Sequence, residues 1–336
     1  MTWLAWRQHR VQLAAGLGTL VAIAIFLVLS GKGMYDAFDA MGLNQCAAPT
    51  EQSCAELSHR FQQQYAGYQF LIPLFLILPA AVGIFWGAPL VAREVEQGTH
   101  RLAWTQSITR RRWLTMKVAL MAAATVIGYA VLSWVLQWWI APIMSVRSQR
   151  FDQGIFDLLG LVPTAYAVGA LAIGIAAGTV TRKVVPAIGL TLVAFMVVRS
   201  GVEFGLRPHY MEPVTTSLSF ASDERGFEFP VLPEGWVMSA QTFDKDGRVI
   251  SDGVGIELES AQGSCPDLSD TPRAPGPGAG PRALESCAQR AGFHVVAVYQ
   301  PQDRYWRFQA IEAAIFVAMS VGLVAGSAWW LRRRVT

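Results

Sequence analysis

Charge is what this sequence has least of. Asp, Glu, Lys and Arg make up 15% of its 336 residues and hydrophobic residues 53%, against the roughly one quarter charged that soluble domains carry. So thin a charged complement excludes a water-soluble fold of this size. The net balance of +3 is too slight to mark a nucleic-acid surface. Motifs that carry chemistry are missing as well. No G-x-x-x-x-G-K-[ST] occurs, and Leu29-Ser30-Gly31-Lys32-Gly33 lacks the spacing of a phosphate cradle. There is no H-E-x-x-H, and His9, His59, His100, His209 and His294 are scattered along the chain, so no shared metal site is expected. A G-x-S-x-G elbow is absent, and the four cysteines show no C-x-x-C spacing. The chain is therefore expected to be no enzyme by itself and to bind no cofactor.

What is present is apolar sequence gathered into blocks about as long as the ~20 residues a helix needs to cross a bilayer. Ionised side chains are costly at mid-membrane, so they mark the block edges. Six apolar windows result: between Arg10 and Lys32, Phe70 to Ala92, Val118 to about Ile140, Leu158 to Thr181, Val184 to about Val202, and Ala313 to Leu331. The fifth meets Arg199 early. It crosses fully if Arg199 snorkels outward, the alternative being a re-entrant pair. Twelve Trp suit membrane interfaces and make lipid a partner. The expected fold class is an all-α polytopic membrane protein of six transmembrane helices.

Lys and Arg in short connections resist translocation, which sets orientation. One side carries Arg7, Arg10, Arg93, Arg101, Arg110, Arg111, Arg112, Lys117, Arg182, Lys183 and Arg332 to Arg334; the short loops of the other carry only Lys32, Arg60, Arg147 and Arg150. Both termini are thus expected in the cytoplasm. No A-x-A-like cleavage site follows the first window, so it is expected to stay as an anchor.

All four cysteines then fall outside, in an oxidising compartment such as a bacterial cell envelope permits. Four cysteines allow three pairings, and the simplest is local: Cys46 with Cys54, Cys265 with Cys287. Residues 203–307 are long enough for a small extracytoplasmic domain. Within it, Gly235 to Met238, Gln241 to Phe243, a turn at Asp244-Lys245-Asp246-Gly247 and Arg248 to Ile250 read as a hairpin. Phe293 to Tyr299 reads as a strand ended by Pro301, and the Pro/Gly-rich Thr271 to Pro281 as a mobile loop. The domain is expected to be partly β.

Polar sequence concentrates at the inner end of the second window. Arg93-Glu94-Val95-Glu96-Gln97-Gly98-Thr99 is followed by Arg101 and Trp104, then by Arg110 to Arg112. Gly98 can stop one helix and Thr99 can cap the next, which makes residues 93–113 an elbow between two long helices. Either it carries force from a soluble partner or it is a solvated basic loop at lipid phosphates. Trp3 to Arg10 is either an interfacial helix or an extension of the first span. Arg199, Glu203 and Glu312 lie near outer span ends, as an interfacial ion pair or as a polar gate, the pair being the preferred reading. Gly174 to Gly178, with Gly169, offers a small-residue face for close helix packing, in first place within one chain.

Several of these residues resemble the permease subunits of type-2 ATP-binding-cassette exporters, especially those of high-GC Gram-positive bacteria. The likeness rests on Gly87-Ala88-Pro89-Leu90-Val91-Ala92-Arg93-Glu94 with Glu96, Gly98 and Thr99, on Trp104, Ser107, Thr109-Arg110 and Trp113, and on Tyr299-Gln300-Pro301, Arg304-Tyr305-Trp306, Phe308-Gln309 and Glu312 before a helix closed by Trp329, Trp330 and Arg332 to Arg334. The resemblance implies that Arg93, Glu94, Glu96, Gly98, Thr99, Arg101 and Trp104 form the coupling elbow on a separate ATPase subunit, which binds ATP and Mg. It implies a dimeric membrane unit, a homodimer by preference and a heterodimer as the alternative, whose second and fifth spans meet along the pathway. Pro73, Pro79, Pro89 and Pro186 in those spans are either hinges or static bends. Phe75, Trp86, Phe195 and Met196 are candidate pathway residues for an amphipathic drug, antibiotic, lipid or peptide moved outward.

The expected organisation is residues 1–202 as interfacial helix and five spans, 203–307 as the extracytoplasmic domain, and 308–336 as the sixth span with a basic tail. Replacing Glu94 and Glu96 is expected to leave insertion intact while uncoupling or detaching the ATPase. The competing class is a membrane receptor or assembly scaffold whose external domain binds a ligand without transport. Copurification of an ATPase separates the two.

Overall fold

A computed structural model of the chain describes residues 2–46, 52–98, 110–147, 150–223, 226–257, 261 and 287–334. It divides into two compact units, Met1–Arg207 with Trp306–Thr336, and Pro208–Tyr305.

In the first unit six helices are long and apolar enough to cross a membrane: span 1, Leu13–Ala40; span 2, Ala66–Glu96; span 3, Leu114–Val146; span 4, Val162–Thr181; span 5, Val184–His209; span 6, Gln302–Leu331. A further helix, Gln52–Gln64, packs Phe61 edge-on to Phe38, and a one-turn helix, Gln153–Phe156, precedes span 4. We call the end at which spans 2 and 3 are joined the elbow end. The far-end core gathers Leu27, Met34, Phe61, Phe75, Leu136, Trp139 and Leu158, and a smaller cluster of Leu90, Val91, Leu114, Met121, Leu171 and Ile175 packs toward the elbow end. Cys46 and Cys54 form a disulfide, Cα to Cα 5.9 Å, beside the far-end core. Cys287 is also disulfide-bonded, while Cys265 lies outside the described residues.

Span 4 is the most enclosed helix, and its small residues are the reason. A Cβ on Gly174 would stand 2.3 Å from the Gly83 carbonyl oxygen, one on Gly178 2.4 Å from that of Ala88, and one on Gly83 2.5 Å from that of Ala170. Backbone meets backbone along this seam, an approach that only glycine permits in an apolar bundle. The small-residue face of span 4 thus packs inside the chain, against span 2, while Gly169 meets Phe316 of span 6.

The prolines act unequally. Pro89 has no N–H to offer the Phe85 carbonyl one turn back, and the helix widens into a π turn at Gly83–Gly87 just ahead of it. Pro186, by contrast, is the third residue of Val184–Ser200. First-turn N–H groups have no partner within their own helix, so this proline removes no bond and bends nothing. The expectation that Pro186 removes an intrahelical bond, as a hinge or as a static bend, is corrected. Span 5 is one continuous helix of 26 residues, long enough to cross with Arg199 inside it. The helix runs past a π turn at Gly201–Leu206, and Arg199 is buried at 9% exposure.

The second unit holds a four-stranded antiparallel sheet in the order β1-β6-β4-β5 and a two-stranded one, β2-β3. Its strands are β1 Val214–Ser219, β2 Ala221–Asp223, β3 Gly226–Glu228, β4 Gly235–Phe243, β5 Val249–Asp252 and β6 His294–Pro301. The expected hairpin is β4-β5, and its turn is closed by Asp244, whose carboxylate accepts the N–H groups of Asp246 (2.9 Å) and Arg248 (2.8 Å). The strand expected from Phe293 is β6. β1, β2 and β3 were not foreseen. Val295 and Ala297 are buried strand residues, and Ile250, Ala288, Ala291 and Phe293 form an apolar cluster. The 271–281 loop lies outside the described residues.

Candidate functional site

Two sets of polar contacts stand out, one at each end of the helix bundle. At the elbow end, span 2 finishes at Glu96 and Gly98 takes φ +71°, the left-handed value that suits glycine after a helix. Glu94, two residues earlier, forms an ion pair with Lys117 of span 3, and both side chains are largely enclosed. Glu96 turns to span 5, where its Oε2 accepts the Val184 N–H at 3.0 Å. Arg93 is exposed and, with Ile84, Phe85, Pro89, Glu96, Gln97, Val184 and Ile188, lines a recess of about 540 Å³ between spans 2 and 5. Thr99, Arg101 and Trp104, the rest of the expected coupling set, lie outside the described residues.

At the far end a buried ionic cluster joins four segments. Asp157 follows the Gln153–Phe156 turn, Tyr166 stands in span 4, Arg199 and Arg207 in span 5, and Glu312 in span 6. Arg207 grips Glu312 through Nε and Nη2, at 2.9 and 2.7 Å, and reaches Asp157 at 2.5 Å. Two parallel N–H···O bonds between a guanidinium and a carboxylate are the strong, orientation-fixing form of this pair. Arg199 donates to the other oxygen of Asp157 at 2.8 Å and to the Leu76 carbonyl of span 2 at 3.1 Å. The Tyr166 hydroxyl donates to Glu312 and accepts from Arg207. Two guanidinium groups face two carboxylates, so the cluster is neutral as a whole, the condition under which charges tolerate a dry interior.

Gln309, one turn before Glu312, completes the junction. Its Oε1 accepts the N–H groups of Leu161 and Val162 at the start of span 4 (2.9 and 3.0 Å), and its Nε2 donates to the Phe156 carbonyl at 2.9 Å. It thereby caps span 4 from span 6, since no residue at that helix end supplies its own side-chain cap. Gly160 makes room for this contact: its φ is +75°, and a Cβ there would lie 2.7 Å from Gln309 Oε1.

The expected ion pair is therefore present but with other partners. Arg199 pairs with Asp157 and Glu312 with Arg207, while Glu203 takes no part in these pairs. Asp157, Tyr166, Arg207 and Gln309 were missed. A signal existed: Asp157 is the sole charge between Asp152 and Arg182, and a lone carboxylate at the lip of a span calls for a cation from another.

The candidate pathway residues do not come together. Phe75 is buried, its ring 6.3 Å from that of Trp139; Phe195 is fully enclosed, 6.4 Å from Tyr166; Met196 is 46% exposed on span 5. Trp86 lies over Gly16 and lines a separate apolar groove of about 500 Å³ between spans 1, 2 and 3. Among the described residues no group of His, Cys, Asp and Glu could hold a metal ion.

Six membrane-length helices bound to one another by a glycine seam and by polar junctions at both ends define a multi-pass membrane protein. The chain belongs to the ABC-2 membrane transporter related family, whose model matches residues 17–207, which is spans 1 to 5 less the first few residues of span 1 and the last two of span 5. Permeases of this family are membrane transport components, not themselves catalytic, and generally work with an ATPase subunit. No curated protein and no solved structure matches the chain.

Proposed function

We propose that this chain is the membrane-spanning permease subunit of an ATP-driven exporter in a bacterial plasma membrane, with both termini and the elbow in the cytoplasm and residues 203–307 outside. A separate ATPase binds Mg and ATP and presses on the 93–113 elbow. Two permease copies, the same chain twice by preference, form the membrane unit, and their second and fifth spans border the passage. The substrate is amphipathic, a drug, antibiotic, lipid or peptide, and it moves outward.

The observation that carries this reading is the elbow end itself. The last turn of span 2 is bound to span 3 through Glu94 and Lys117 and to span 5 through Glu96 and Val184, so a push on the elbow is delivered to three spans at once. The recess between spans 2 and 5, lined by apolar residues with Arg93 and Glu96 at its rim, suits an amphipathic molecule. Lys117 and the basic residues around the elbow support the cytoplasmic placement.

The test is to purify the chain in mild detergent from its native membrane and assay nucleotide hydrolysis in the isolated complex. A copurifying ATPase whose vanadate-sensitive activity follows the permease through size exclusion is the expected result. A chain that emerges intact without one refutes the reading and leaves the receptor or scaffold class. Labelling of single cysteines placed at Gln97 and Lys245 from either side of sealed cells tests the orientation.

A further inference from the structure

Span 5 begins under unusual local conditions. Span 4 ends with Arg182 at φ +57°, and Lys183, the residue that flanks the new helix, is extended and offers no side-chain cap. Pro186 has no N–H, and the Ala187 N–H is already bonded to the Lys183 carbonyl at 3.2 Å. That leaves the N–H groups of Val184 and Val185 as the open donors of the first turn. One of them is taken by Glu96, 88 positions earlier in the chain, through Oε2 at 3.0 Å. A carboxylate is the favoured group at this place, since it meets both an open donor and the positive end of the helix. Glu96 is also the last helical residue of span 2, and Glu94, two positions before it, is engaged by Lys117. Glu94 is largely enclosed, while Glu96 keeps an exposed side. Arg93, in the same turn, is exposed as well and, among the described residues, makes no bond to span 3 or span 5, so it is the freer of the two to meet a docking subunit.

We infer that Glu96 is a positioning residue that transmits displacement of the elbow to the first turn of span 5, and not a contact that binds the ATPase. This rests on the permease reading above. Glu96 makes span 5 follow span 2 at the elbow end although the two helices are separated by spans 3 and 4 in sequence. Without it the ATPase would still dock, but span 5 would answer less, held to span 2 by the apolar contact of Ala88 and Ala92 with Ala187.

The experiment uses the whole permease–ATPase complex with spin labels at Leu17 and Val185, both exposed, after the exposed positions are changed to Cys; no described cysteine is free to react instead. The Leu17–Val185 distance is read without nucleotide and after trapping with ATP and vanadate. In the otherwise unsubstituted complex the distance is expected to change on trapping. Glu96→Ala is expected to keep the ATPase bound while diminishing that change; Glu96→Gln, which retains an acceptor oxygen, is expected to keep it. Adding Lys183→Asp to Glu96→Ala supplies a local cap, and should restore thermal stability without restoring the motion.

Loss of ATPase binding in Glu96→Ala with an intact fold would make Glu96 a docking contact and overturn the inference. So would an undiminished distance change in Glu96→Ala, or motion restored by Lys183→Asp, since either leaves the cap a merely local one. No nucleotide-dependent change in the unsubstituted complex would overturn the permease reading and the inference with it, a different pattern from the other three.

Discussion

Replacing Arg207 with Met removes the cation that two buried carboxylates share. Asp157 keeps Arg199 as a partner at 2.8 Å, but Glu312, with no exposed surface, loses both of its bonds to the Arg207 guanidinium and keeps the Tyr166 hydroxyl. Breaking a buried pair from one side in this way costs about 3–5 kcal/mol. At roughly 1.4 kcal/mol per tenfold change, that is between two and four orders of magnitude in the folded-to-unfolded ratio. In a thermal scan of the detergent-solubilised protein, followed by the fraction that remains monodisperse, it corresponds to a fall of about 6–20 °C at 2–4 °C per kcal/mol. The second variant supplies the logic: Arg207→Met with Glu312→Leu removes one charge of each sign and leaves Arg199 and Asp157 balanced, so it should recover most of the lost stability. Arg207→Lys keeps the charge but not the two-pronged grip, and should fall between. If the double variant is as unstable as the single one, or if Arg207→Met melts like the parent, charge compensation is not what holds this junction and the reasoning fails.

Three other expectations follow from the same geometry. Gly83→Ala pushes a methyl to 2.5 Å from the Ala170 carbonyl oxygen and should cost about 1–3 kcal/mol by overpacking; Gly189→Ala, in open space on span 5, should gain about 0.5–1 kcal/mol, so the two melts should move in opposite directions. Gln309→Leu strips the cap from the start of span 4 and should cost about 1–2 kcal/mol, read as faster hydrogen exchange at Leu161 and Val162. Cysteines 46 and 54 are eight positions apart; replacing both with Ser should cost roughly 2–3 kcal/mol by the loop-closure model, measured as a melt shift, and reducing agent should lower the melt of the parent further than that of the variant, since the Cys287 bond is lost in both.

The number of spans was legible because it depends on one dominant quantity, the cost of charge in hydrocarbon, which a linear sequence displays directly. The β4-β5 hairpin was legible because Asp244 to Gly247 encodes its turn locally. β1 was not, since Val214 to Ser219 is a short run rich in Ser and Thr whose strand character comes from pairing with β6, some eighty residues away. The ionic cluster was half visible: Arg199 and Glu312 announce a charge that needs company, but their partners Asp157 and Arg207 are chosen by three-dimensional proximity. Pro186 misled because its effect depends on where the helix begins, a boundary that periodicity alone does not place. Glu94 and Glu96 were singled out as a group, and what each one touches could come only from the fold.

Span 4 has 20 residues, which at about 1.5 Å each cover some 30 Å, the depth of a typical hydrocarbon layer with none to spare. Its neighbours are longer, up to 33 residues in span 3, and can tilt to suit a thicker bilayer. The central helix has no such slack, and its beginning carries the Asp157 cluster. Lipids with longer acyl chains would therefore draw those charges below the headgroups, so the thickness of the surrounding bilayer acts directly on the part of the molecule least able to yield.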